Sequence, residues 1–213
     1  SEGLGPKDWL ELGGAVRGKL GGKAQVGAVL DVPGVSAGDA TSFAQGFSLR
    51  CYEFKKYKTK HGKKREEESE AGEGDEENGS AAQKGAPSLT VYTSEAVAAG
   101  SQFEAESAVL EGVYFARDLV NEPANMLTPP EFASRLQELS QHGIEVEVLD
   151  EDRLKSLGMT ALLAVGQGSA QPSKVVVMRW QGGDAGAAPV GFIGKGVCFD
   201  SGGISIKPAQ GME

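Results

Sequence analysis

Residues 121–150 read "NEPANMLTPPEFASRLQELSQHGIEVEVLD", and the order of signals inside this stretch decides the fold class. Asn121, Glu122 and Pro123 form a breaker, because the residue before a proline is pushed out of the α region. Pro129 and Pro130 open a helix: proline suits the first turn, where its missing N–H would be unbonded anyway, and Gly143 suits the C-terminal stop. A Val-rich alternating run, Ile144 to Asp150, then reads as a strand.

The same alternation continues downstream. A helix is expected over 151–158, "EDRLKSLG", followed by a small-residue segment at 159–171 and a strand at 173–180, "SKVVVMRW". A further strand is expected at 189–195, "PVGFIGK". Helices alternating with Val-rich strands argue for an α/β fold with a mostly parallel sheet. Upstream, residues 102–120 place Phe103, Ala108, Val109, Val113, Phe115, Ala116, Leu119 and Val120 as a long amphipathic helix. Strands are expected at 24–32 and 88–93. A helix is expected from Asp39, with Asp39 or Thr41 as its N-cap and Phe43, Phe47, Leu49, Cys51, Phe54 and Tyr57 near one face.

Between that helix and the second strand, a Lys/Arg run from Lys55 to Arg65 passes into a Glu/Asp run from Glu66 to Glu77. So polar a stretch cannot bury enough surface to offset its ordering entropy, and it reads as an exposed insertion over about 57–87. A partner or nucleic-acid contact for its basic half is the alternative. The solvated reading is favoured, because the neighbouring acidic block neutralises it.

Composition narrows the function. A net charge of −9 over 213 residues disfavours general attraction to nucleic acid or an anionic membrane. No apolar run reaches the roughly 20 residues of a bilayer span, and no secretory signal order is visible. Two cysteines, Cys51 and Cys198, far apart, suit a reducing compartment, which points to the cytoplasm. The chain starts at Ser1 and stops at "KPAQGME" in what reads as a loop, the pattern expected of a fragment.

The richest chemistry lies in "VGFIGKGVCFDSGG", residues 190–203. A P-loop would need a glycine at Pro189 and a Ser or Thr at Gly196. A nucleophile elbow on Ser201 would need glycine at Phe199 and a histidine base, and the chain has only His61 and His142. A dinucleotide loop in "GQGSAQ" has Gln171 where the third glycine belongs.

A metal site remains. Asp200 is a hard oxygen ligand able to bridge two ions, and Lys195 can ligate as the neutral amine if an adjacent dication lowers its pKa. Lys207 can stay charged and stabilise an oxyanion, and the chemistry suggested is metal-assisted amide hydrolysis. The plainer reading stays open beside it: the glycines as ordinary turn residues, Asp200 as a turn cap and both lysines facing water.

"GKGVCFDSGGISIKP" and, upstream, "ARDLVNEPANMLTPPEFA" closely resemble the leucine aminopeptidase (cytosol aminopeptidase) family of two-metal exopeptidases. The resemblance is strong from about Ala116 to Glu213. It implies a smaller N-terminal α/β domain (1–100), a connecting helix (101–122) and the first part of a zinc-exopeptidase-like α/β catalytic domain (123–213). It further implies two divalent ions, Mn²⁺ or Zn²⁺, with Lys195 as the amine ligand of one and Asp200 bridging both. By the same likeness Lys207 is the catalytic lysine, the substrates are peptides with a free N-terminus, and the assembly is a cytoplasmic hexamer. "NEPAN" is given a supporting role in the fold. The family's other carboxylate ligands and its catalytic arginine have no counterpart in this chain, so the 213 residues alone are expected to bind metal weakly and to turn over little. The competing function is a non-catalytic binding protein that uses the N-terminal domain and the basic segment.

Overall fold

The computed structural model describes residues 4–20, 25–30, 34–58 and 87–210. From residue 59 to 86 the expected charged insertion lies outside the described residues. The fold is α/β and divides into two compact units, 1–118 and 119–213.

The first unit opens with helix α1 (Pro6–Lys19), which the sequence reading passed over. Pro6 follows the N-cap Gly5, and the Asp8 carboxylate accepts the Gly5 N–H at 2.8 Å. Helix α2 (Ala37–Cys51) starts earlier than expected, because Ser36 is the N-cap. The Ser36 hydroxyl accepts the Asp39 N–H at 3.2 Å and the Asp39 carboxylate accepts the Ser36 N–H at 2.9 Å, a reciprocal capping box that places Asp39 inside the helix.

Glycines let α1 and α2 approach closely. A Cβ on Gly13 would overlap the Phe43 carbonyl and stand 2.9 Å from the Phe47 nitrogen, and one on Gly46 would overlap the Leu10 carbonyl. Phe43 and Phe47 are buried, as their helical spacing predicts, whereas Tyr57 is exposed. Strands β1 (Gln25–Val29) and β2 (Ser88–Tyr92) pair in parallel, Gln25 opposite Ser88 through Val29 opposite Tyr92.

Helix α3 (Ala96–Asn121) is longer than the sequence suggested, and only part of the expected face is covered: Phe103, Val113, Phe115 and Leu119 are half-buried. Leu110 is buried, whereas Val109 and Val120 are exposed. Polar side chains join α3 to α2: Gln45 donates to Glu106 at 2.7 Å, Arg117 to the Leu49 carbonyl at 2.8 Å, and the Tyr114 hydroxyl to the Ser48 carbonyl. This seam explains the misreading, since part of the covered stripe is polar and carries no hydrophobic signal. Burial pushes the Tyr114 phenol above its ordinary pKa.

In the second unit, helix α4 (Pro129–Gln137) begins at the N-cap Thr128, whose hydroxyl accepts the Glu131 N–H, with both prolines in the first turn as expected. The chain tightens into a 3₁₀ helix (Glu138–His142) and stops at Gly143, whose φ of 79° is open to glycine at little cost. Strand β3 (Glu145–Leu149) follows, then α5 (Glu151–Ser156), capped by Asp150. The small-residue segment contains a further helix, α6 (Thr160–Gly166), and leads to β4 (Val175–Arg179).

Two expectations are corrected here. Strands β3 and β4 pair antiparallel, Glu145 opposite Arg179 through Leu149 opposite Val175, so this sheet is not parallel. The two short helices between them return β4 in the reverse direction, and Arg179 bridges Glu145 and Glu147 across the pair at 3.0 Å each. Residues 189–195 form no strand. Extended backbone becomes a strand only where a neighbour takes up its N–H and C=O groups, and no described residue does so here. Phe192 and Ile193 accordingly stand 94% and 102% exposed.

Leu127, Ala133 and Leu154 are the buried apolar residues of this unit among those described. Glu122 is buried as well, its side chain only 1% exposed, and Arg135 donates to it at 2.8 Å while also bonding Glu131. The "NEPAN" breaker therefore carries a buried ion pair.

Candidate functional site

The glycine-rich turn is built by short local bonds. The Asp200 Oδ1 atom accepts the Gly202 N–H at 3.0 Å, an Asx-type closure that holds the carboxylate over its own turn. Gly202 and Gly203 follow with φ of 86° and 65°, the left-handed region that favours glycine. The Lys207 N–H then donates to the Ser201 carbonyl at 2.9 Å, closing a loop of seven residues. A Cβ on Gly202 would overlap the Ser205 carbonyl and come within 3.0 Å of the Lys207 nitrogen, so glycine is required there on two grounds.

That loop brings two of the sequence-predicted residues together. The Lys207 ammonium donates to Asp200 Oδ2 at 2.8 Å, with both side chains about half exposed. The Lys207 hydrogen bond first, then the Gly202 N–H and the nearby lysine charges, hold the Asp200 carboxyl below its usual range. Lys195 contributes to that shift only through its charge and is not hydrogen-bonded to Asp200.

Gly196 anchors the strip that carries Lys195. A Cβ there would stand 2.8 Å from the Phe132 ring of α4, so the backbone lies directly on that ring. Phe132 was read from sequence only as part of a helix; a bulky apolar residue in the first turn of a proline-opened helix was the available signal. Cys198, half-buried in the same strip, has its thiol pushed up by burial.

The donor set fits a metal in kind but not in number. Asp200 offers hard oxygens on an exposed turn and Lys195 offers an amine, yet among the described residues no group of three or more His, Cys, Asp or Glu side chains gathers into a metal cage. Two such donors are too few to hold a metal ion by themselves. A separate hollow of about 480 Å³, lined by residues that include Glu151, Lys155, Leu163, Gln167 and Pro172, contains none of the turn residues. Among the described residues no helix is long and apolar enough to cross a membrane.

Comparison with known proteins bears on the same segment. Residues 114–213 match the sequence profile of the cytosol aminopeptidase family, catalytic domain. A protein of Rhizobium meliloti (strain 1021) named "Probable cytosol aminopeptidase" is 48% identical over 213 residues, covering 99% of this chain and 40% of that protein. One of the same name from Xanthobacter autotrophicus is 50% identical over 214 residues, with the same coverage. Among solved structures, the bottromycin maturation enzyme BotP in complex with Mn superposes with a TM-score of 0.71 at 31% identity, over 97% of this chain and 40% of that one. The chain thus spans about 40% of the length of the curated relatives it matches. By these matches, this chain belongs to the cytosol aminopeptidase family.

Proposed function

We propose that the protein carrying this chain is a metal-dependent, leucine-type aminopeptidase that releases N-terminal residues from peptides in the cytoplasm. Asp200 and Lys195 are its contribution to a site for two divalent ions, Mn²⁺ or Zn²⁺, and the remaining ligands come from outside these residues. The observation that carries the reading is the Asp200–Lys207 pair on a positive-φ glycine turn, inside the segment that matches the family's catalytic domain. The relatives' name and the Mn complex of BotP support it.

Each residue has a distinct task. Asp200, held down as the carboxylate, supplies oxygen ligands at neutral pH. Lys195 supplies a nitrogen ligand. Ions held by Asp200 and Lys195 would supply Lewis-acid polarisation of the peptide carbonyl. Lys207 offers its ammonium to the oxygen on which negative charge develops. Glycines at 196 and 202 keep side chains out of the space where the backbone packs most closely. Helix α3 joins the smaller N-terminal domain to the catalytic one in this reading, and the assembly is a hexamer.

The test is hydrolysis of a leucine amide by the intact protein with added Mn²⁺. Chelator-sensitive activity that falls at least about a hundredfold in Lys207→Ala is expected, the scale of losing one oxyanion donor. Full activity in chelator, or an unaffected Lys207→Ala variant, contradicts the reading. Size-exclusion chromatography with light scattering checks the hexamer.

A further inference from the structure

We propose that Phe132 is a positioning residue for the strip that carries Lys195: its ring bears the backbone at Gly196 and so fixes where Lys195 stands. The inference rests on the reading given above, in which Lys195 serves the reaction, and adds to it a side chain of another element that acts through Lys195.

The strip has little else to hold it. Among the described residues, a Cβ on Gly191 or Gly194 would meet nothing within 4 Å, and Phe192 and Ile193 stand open to water. Gly196 is where the chain touches down. A Cβ there would stand 2.8 Å from Phe132 Cε1, 3.5 Å from Cδ1 and 3.8 Å from Cζ, so the edge of the ring takes the place a side chain would fill, while the other side of Gly196 is open to water. Two residues on, Cys198 is half-buried, whereas Lys195, Val197 and Phe199 are exposed. The strip thus has a held side and a free side, and Lys195 belongs to the free one.

Phe132 stands on a firm support. Its N–H donates to the Thr128 carbonyl at 2.8 Å, within the first turn that Pro129 and Pro130 open. Ala133 beside it is buried, and Arg135 ties the same helix to Glu122 at 2.8 Å. Dispersion between carbon atoms falls off steeply once a gap opens, so a loosely held strip takes its position from the fixed ring. Removing the ring edge frees the backbone at Gly196 and lets Lys195, its chain neighbour, shift with it.

The experiment compares wild type, Phe132→Leu, Phe132→Ala and Phe132→Tyr in the intact protein. One readout is the rate at which iodoacetamide modifies Cys198 at a single fixed pH, followed by peptide mapping; the other is hydrolysis of a leucine amide. Leucine keeps an apolar side chain but lacks Cε1 and Cζ, so it removes the contact with least risk to folding, while tyrosine keeps the ring edge. Phe132→Leu and Phe132→Ala are expected to modify Cys198 several-fold faster and to lower kcat by about tenfold to a hundredfold, the scale of a misplacement of about 1 Å. Phe132→Tyr is expected to retain both wild-type values, and losses equal to those of Phe132→Leu overturn the proposal. Thermal melts show which variants fold, and Phe132→Leu decides alone if Phe132→Ala does not. Unchanged Cys198 modification in folded Phe132→Leu overturns the proposal whatever the activity does. So does faster modification with wild-type activity, and Lys195→Ala then separates the two ideas: an inactive Lys195→Ala leaves the reading of the site standing, whereas an active one takes that reading down as well.

Discussion

Arg135 and Glu122 meet at 2.8 Å with the glutamate side chain 1% exposed, so a loop residue just past α3 is tied into α4 by a nearly dry ion pair. Glu131 holds the other side of the same guanidinium at 2.8 Å, and the two carboxylates together raise the arginine's pKa.

Removing one partner of a buried pair leaves the other charge uncompensated, at a cost of about 3–5 kcal/mol. Glu122→Ala is expected near the bottom of that range, because Arg135 keeps Glu131 and is itself partly exposed. Urea unfolding of the intact protein measures it; an unchanged midpoint would show the pair to be dispensable.

The α1–α2 contact makes a sharper comparison among glycines one residue apart. Gly13→Ala forces a methyl into the Phe43 carbonyl and is expected to destabilise by about 1–3 kcal/mol, the usual scale of overpacking. Gly14→Ala meets the Gly46 carbonyl at an ordinary 3.5 Å and should be neutral, or stabilise by about 0.5–1 kcal/mol through helix propensity. The melting temperature should fall for Gly13→Ala and hold or rise for Gly14→Ala, and equal losses would refute the close approach.

Alanine at Gly202 tests the turn. A left-handed backbone costs a non-glycine residue about 1–2 kcal/mol, and the methyl overlaps the Ser205 carbonyl in addition. Gly202→Ala is therefore expected to weaken Mn²⁺ binding about tenfold or more, since 1.4 kcal/mol is a factor of ten. Unaltered binding would mean that the turn does not position Asp200.

Burial raises the Cys198 pKa, which fixes the sign of a pH effect. The folded protein holds this proton more firmly than the unfolded chain, so the associated stability is full below the unfolded thiol pKa and is lost as pH rises through the higher folded value. Alkylation by iodoacetamide, which requires the thiolate, should accordingly have its midpoint at higher pH in the native protein than in denaturant. Peptide mapping of modified Cys198 across pH reads this directly, and coincident midpoints would contradict it.

What the sequence revealed depended on how local each signal was. Pro129, Pro130 and Gly143 punctuate α4 and its 3₁₀ extension within a few residues, and the Val146/Val148 alternation marks β3 just as locally. The antiparallel direction of β4 depends on where α5 and α6 return the chain, which no short window contains. Helix α1 was missed because Gly13, Gly14 and Gly18 weaken its propensity, although Gly13 is what lets α2 approach. In the candidate site, Lys195, Asp200 and Lys207 were all visible as chemistry. The direct bond between Asp200 and Lys207 was not, because it depends on two consecutive left-handed glycines folding the intervening residues back.

The exposed apolar side chains of Phe192, Ile193 and Ile204 govern how the chain behaves in a tube. Phe192, Ile193 and Ile204 meet water almost completely, Ile204 at 108% of its reference exposure, so salts that strengthen apolar association act on this patch first. Ammonium sulfate should precipitate the chain at a threshold that Phe192→Ser with Ile193→Thr raises.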